Sequence, residues 1–222
     1  MRILIIAATR FEIQQSIDFF QVNSSAFPHH SFSFLITGVG AVPTTYSLTK
    51  EVDKNKADLV IQAGLAGCFD NRNLTDTVII KEDSFADLGV MENNSFKTVF
   101  DLNLAGENEF PYTDAVLVNP NKKLLDILPL EKLTAITVNE ITTVGEKIKW
   151  YKQKYRPVVE SMEGAAFHYV CLQENIPFVQ LRSISNYIGE RDKSKWKLKE
   201  AIASLNKNLL SVTEEILKKN EV

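Results

Sequence analysis

Ile3-Leu4-Ile5-Ile6-Ala7-Ala8 is an unbroken apolar run of strand length, and its reading decides the fold class. A strand without polar alternation belongs in a sheet covered on both faces. Runs of the same kind recur at 32–36, 59–62, 77–80, 116–118, 135–138 and 177–184, which makes seven expected strands. Helical spacing appears between them. Ala41, Thr45, Leu48 and Val52 share one face, Phe167, Val170 and Cys171 line one side of 162–174, and Leu198, Ile202, Leu205, Leu209, Val212 and Ile216 form the longest stripe. Strands alternating with helices predict an α/β fold, a central mixed, mainly parallel sheet flanked by helices. Thr143-x-x-Glu146 has the form of a capping box, and Asn119-Pro120 reads as opening a helix through Leu124 and Leu125. Residues 83–114, with Gly89, Gly106 and Pro111, lack a clear period and read as an excursion from the sheet, a lid or an interface element.

With 222 residues and no linker-like stretch, the chain is expected to form one domain over 1–222. The 45% hydrophobic and 24% charged shares are those of a soluble globular protein, and a net charge of -3 argues against a nucleic-acid surface. No stretch approaches the roughly 20 apolar residues of a membrane span, and the N-terminal run is too short for a secretory signal. Cys68 and Cys171 stand alone, so neither a disulfide framework nor a metal site is signalled and a reducing cytoplasm is expected. No cofactor is expected either. Gly38-Val39-Gly40 lacks the third glycine of a dinucleotide site because Pro43 stands there.

In such folds ligands collect beyond the carboxyl ends of strands, which singles out residues 8–12, 37–41, 63–67, 184–192 and 160–164. Gly40 and Gly64-Leu65 let backbone amides approach a ligand closely. Glu12 and Glu163 each head a helix, where the dipole alone favours a carboxylate. Their roles come from the company they keep.

Ile5-Ile6-Ala7-Ala8 running to Glu12, Thr37-Gly-Val-Gly40, Ala63-Gly-Leu-Ala-Gly67, Val159-Glu-Ser-Met-Glu163-Gly-Ala-Ala and Arg182-Ser-Ile-Ser-Asn186 occur in that order. Together they resemble the nucleoside phosphorylase and nucleosidase superfamily. Methylthioadenosine/S-adenosylhomocysteine nucleosidases carry an Asp where Asn186 stands. The stretch from Ser185 to Asp192, followed by Trp196, resembles the futalosine hydrolases of an alternative menaquinone pathway, which release hypoxanthine.

The resemblance implies catalytic Glu12, Glu163 and Asn186: Glu12 as base for the attacking water, Glu163 holding the ribose hydroxyls, and Asn186 on the purine. Cleavage builds oxocarbenium character that carboxylates stabilise, and two of them in one pocket are expected to push a pKa upward. Hypoxanthine offers two adjacent acceptors where adenine offers an acceptor and a donor. An amide NH2 serves both acceptors and a carboxylate serves neither, and mispairing of this kind yields selectivity on the order of 10⁴ to 10⁵. Asn is a poor acid, so water or Asp192 is the expected proton source. Met162 is expected against the ribose, Trp196 over the pocket, and Arg191, before Lys193 and Lys195, on the carboxylate of futalosine's acyl arm. No aromatic falls at 139–142, where relatives stack one on the base, and His29, His30 and His168 receive no role. The implied partners are a purine nucleoside and further copies of the chain, as a homodimer or larger homo-oligomer.

Three other readings stay open at this point. A phosphorylase would need a cation for phosphate, and Gln62 stands where such enzymes carry Arg. An adenine-releasing methylthioadenosine or aminodeoxyfutalosine nucleosidase is set apart by Asn186. A non-catalytic nucleoside-binding protein would not need Glu12 and Glu163.

Overall fold

The computed structural model describes residues 1–93 and 95–220. The first strand, β1 (Arg2–Ala7), pairs in parallel with β2 (Ser31–Ile36) on one side and β3 (Leu59–Cys68) on the other. Its unbroken apolar character has a direct cause. Ile3, Ile5 and Ala7 face one core with α1 (Arg10–Val22) and α6 (Leu198–Asn220), while Leu4 and Ile6 face another with α2 (Ala41–Lys54) and α5 (Gly164–Gln173). Ile202, Leu205, Leu209, Val212 and Ile216 of α6 are all buried, so the predicted stripe is the packed face. Each such side chain contributes about 1.5–3 kcal/mol, which holds the helix more firmly than propensity does.

Beyond β3 the sheet curls on itself. β10 (Phe178–Tyr187) pairs in parallel with β3 and antiparallel with β4 (Thr77–Phe85); β4 pairs with β8 (Lys132–Thr137), β8 with β9 (Val159–Ser161), and β9 returns to β3. Five strands thus close a ring from which β1 and β2 extend. The result is a mixed, mainly parallel sheet within one α/β domain, as expected.

Three expectations change. Among the described residues the main sheet has eight strands rather than seven, because β9 joins it; the strand expected at 116–118 is β7 (Leu117–Val118), which pairs with β4. Residues 63–67 are not a loop: β3 continues through them because β10 supplies a ladder as far as Cys68. The Thr143-x-x-Glu146 box does not form. Thr142 N–H is held by the Glu160 carboxylate at 3.0 Å, and α4 (Gly145–Lys154) starts later, capped by Val144 without a side-chain bond. The helix expected after Asn119-Pro120 through Leu124 and Leu125 forms as the short α3 (Lys122–Asp126). The 83–114 segment does leave the sheet after Phe85, making a hairpin of β5 (Gly89–Glu92) and β6 (Ser95–Thr98).

Candidate active site

Glu12 is the third residue of α1, a position from which a side chain bends back over the helix start. Its Oε2 accepts from Thr9 N–H and from the Thr9 hydroxyl, both at 2.9 Å. The other oxygen accepts from Leu65 N–H at 3.1 Å, tying the head of α1 to β3.

Glu163, the residue before α5, is 6% exposed. Its Oε1 accepts from Gly40 N–H at 3.0 Å. Gly40 precedes α2 with φ +99, a left-handed conformation suited to glycine, and an amide at a helix start has no intrahelical acceptor. The second oxygen of Glu163 meets Arg182 Nη1 at 3.4 Å.

Arg182 is the functional residue that motif reading passed over. It lies on β10 directly beside Gly64 of β3, only 1% exposed. A methyl at Gly64 would overlap Arg182 Nη1 and stand 3.3 Å from Glu12 Oε1, so the glycine makes room for the guanidinium. Nη2 donates to Gln62 Oε1 at 2.9 Å and Nη1 to Leu65 O at 3.5 Å. The available signal was a lone cation inside the apolar run at 177–184.

Asn186 follows an irregularity in β10: the register with β3 shifts between Ile184 and Asn186, and such a bulge re-aims the next side chain. Its Oδ1 accepts from the Ser185 hydroxyl at 2.9 Å and its Nδ2 donates to Tyr187 O at 3.1 Å.

Glu12, Leu65, Met162, Glu163, Asn186, Arg191 and Trp196 line one cleft of about 280 Å³, with Phe11, Val39 and Ile141 among its apolar walls. Gly40 and Gly64 are absent from the lining and act one step back, through Glu163 and Arg182. Arg191 lies over the Trp196 ring at 5.4 Å, and Trp196 Nε1 donates to Glu190 O at 3.2 Å. The described residues of 83–114 supply nothing to this lining.

Asp192 does not suit the proton-source role. Its carboxylate accepts from Ser194 N–H and the Ser194 hydroxyl, bonds that hold it below the usual carboxylate range, and it does not line the cleft. Lys195 pairs with Glu190 instead of a ligand. Glu160, to which the sequence motifs assign no role, also lines this cleft, and burial raises its carboxyl above the usual range. His168 is structural: Leu117 O lies 3.0 Å from its Nδ1, and burial lowers the imidazole to about 4. Among the described residues no group of three His, Cys, Asp or Glu is placed to hold a metal ion, and no helix is long and apolar enough to cross a membrane.

The family model of the phosphorylase superfamily matches residues 2–218. A futalosine hydrolase of Thermus thermophilus is 30% identical over 179 residues, covering 78% of this chain and 77% of the relative. A 5'-methylthioadenosine/S-adenosylhomocysteine nucleosidase of Maridesulfovibrio salexigens is 26% identical over 83% of this chain and 81% of its own. The solved structure of a futalosine hydrolase mutant of Helicobacter pylori superposes with a TM-score of 0.81 at 18% identity, covering 97% of this chain and 99% of that one, which is a likeness of fold. The chain belongs to the phosphorylase superfamily, and these relatives within it are nucleosidases.

Proposed function

We propose that the protein hydrolyses the N-glycosidic bond of a 6-oxopurine nucleoside, futalosine foremost, releasing hypoxanthine with water as nucleophile. The observation that carries this reading is Asn186 on the wall of the cleft that also holds Glu12 and Glu163. With Oδ1 taken by Ser185 and one Nδ2 hydrogen on Tyr187 O, the second hydrogen remains for a purine acceptor. Sequence reasoning assigned two hydrogens to the base; this geometry favours one.

Glu12 serves as the base for water, oriented by Thr9 and Leu65, and Glu163 binds the ribose hydroxyls while Gly40 and Arg182 fix it. Both carboxylates stabilise positive charge developing at the anomeric carbon. Water is favoured over phosphate because Arg182 is engaged with Gln62, Leu65 and Glu163, leaving Arg191 as the cation lining the cleft among the described residues. Arg191, stacked on Trp196, is assigned to a carboxylate on the 5'-substituent. Water supplies the proton to the leaving base. Copies of the chain are expected to assemble through exposed apolar residues beside the cleft, Phe11, Val39 and Val42.

A second reading, adenine release, is favoured by the Maridesulfovibrio relative. A panel of inosine, methylthioadenosine, futalosine and aminodeoxyfutalosine, with and without phosphate, decides between them. Hypoxanthine from futalosine, independent of phosphate, is expected; faster adenine release from methylthioadenosine overturns the proposal, and no turnover of any substrate returns the protein to the binding-only class. Glu12→Gln is expected to lose turnover while still binding hypoxanthine.

A further inference from the structure

The buried face of α6 is apolar at Ile202, Leu205, Leu209, Val212 and Ile216, yet beside Leu205 it carries an amide, Asn206, only 2% exposed. The bonding capacity of that amide is fully used. Its Oδ1 accepts from Ser16 N–H at 2.9 Å and from the Ser16 hydroxyl at 2.6 Å, and its Nδ2 donates to Glu12 O and to Ile202 O, both at 2.8 Å. Three of these four bonds cross to α1. Glu12 and Ser16 stand four residues apart in α1, so the amide takes the carbonyl and the N–H at the two ends of one helical rung. The same Glu12 whose carboxylate is held by Thr9 and Leu65 thus has its peptide held by α6.

The other end of α6 stands on the cleft. Trp196 and Leu198 line it, and Lys197 N–H donates at 2.9 Å to the carbonyl of Ser185, the neighbour of Asn186. Leu198 and Asn206 are eight residues apart, about 12 Å of helix. One helix therefore runs from the wall that carries Asn186 and Trp196 to the backbone of Glu12. Apolar contact is non-directional and holds α1 against α6 without fixing where along α6 the turn at Glu12 stands. Hydrogen bonds to a single buried amide are directional and do fix it.

We propose that Asn206 is a positioning residue for Glu12, setting the register of α1 on α6 and with it the place of the Glu12 carboxylate relative to the Asn186 wall. The inference rests on the assignment of Glu12 as the base for water and adds the residue that aims it. A displacement of about 1 Å at a reacting group costs on the order of 10² in rate, and a one-residue slip along a helix is about 1.5 Å, so register is a property the chemistry feels.

Asn206→Leu keeps the volume and the helix contact and deletes the bridge. In N206L, kcat is expected to fall about 10- to 100-fold, while KM and the affinity for hypoxanthine stay within about threefold of wild type. Thr77→Val is the control, because it removes the 3.0 Å bond between the Thr77 and Ser204 hydroxyls, which ties α6 to β4 and not to α1. It is expected to lower the thermal midpoint with kcat within about twofold of wild type. A kcat for N206L within about threefold of wild type overturns the proposal, and so does an equal fall of kcat in T77V. If N206L does not fold, Asn206→Asp gives the answer through its pH profile. A protonated carboxyl still accepts from Ser16 and donates to Glu12 O, whereas the ionised form turns a second acceptor on that carbonyl. The ratio of kcat in N206D to that in wild type should climb as pH is lowered, and a ratio flat with pH overturns the assignment. A failure of the base assignment shows separately, as turnover retained in E12Q.

Discussion

Replacing Arg182 with Met keeps the bulk of the side-chain stem and deletes the guanidinium from a site that is 1% exposed. Three interactions go with it: the 2.9 Å bond to Gln62 Oε1, the 3.5 Å bond to Leu65 O and the 3.4 Å ion pair with Glu163. The Glu163 side chain is 8% exposed, so its charge is left almost without water. Removing one partner of a buried pair costs about 3–5 kcal/mol, and the surviving Gly40 N–H bond puts R182M near the lower end, about 3 kcal/mol. A domain with a total stability of about 5–15 kcal/mol should still fold with that loss. Glu163→Gln alone should cost about 1–3 kcal/mol. In the double variant the orphan charge is gone, so the combined cost should fall short of the sum by about 1–3 kcal/mol. Urea unfolding of the four proteins at neutral pH, followed by circular dichroism, measures this coupling. Costs that add to within about 0.5 kcal/mol would refute the view that Arg182 is there to neutralise and hold Glu163.

Further expectations concern the base, the packing and the pH response. Asn186→Asp replaces the donating NH2 with an acceptor, so the ratio of hypoxanthine to adenine release should drop on the order of 10²-fold or more in paired assays; an unchanged ratio contradicts the selector role. Gly64→Ala should destabilise by about 1–3 kcal/mol, read as a lower thermal midpoint, because its methyl overlaps Arg182 Nη1; a change within about 0.5 kcal/mol would mean the guanidinium is not confined. Asp83, fully buried beneath the start of α5, has its carboxyl pushed up to about 6 by burial, against bonds from Thr137 and Gln180. The native state therefore binds this proton more tightly than the unfolded chain, whose value is near 3.8. This group's contribution to stability grows as pH falls through 6 towards 4 and is lost as pH rises through 6. The stability difference between wild type and Asp83→Asn should then move in favour of wild type by up to about 3 kcal/mol between pH 7 and pH 4, and a difference constant with pH would contradict it.

Some of this was readable from residue order alone. The uninterrupted run at Ile3 to Ala7 announced a strand with a layer on each face, and the four-and-three spacing from Ile202 to Ile216 announced the helix that covers one of them. Glu12, bonded to Thr9 three residues away, expresses a local rule about helix starts. These features depend on the period of the backbone, which a sequence carries directly. Other features depended on which strands became neighbours. The contact of Glu163 with Gly40, the space Gly64 leaves for Arg182 and the row of Glu160, Gly67 and Asn186 join residues far apart in the chain. Their meeting is set by the register of β3 against β9 and β10, a product of packing the whole sheet. Composition and spacing therefore determined the α/β layers and the ordered loops, whereas tertiary structure decided which donors and charges face one another in the cleft, because those contacts belong to strand pairing and not to the local period.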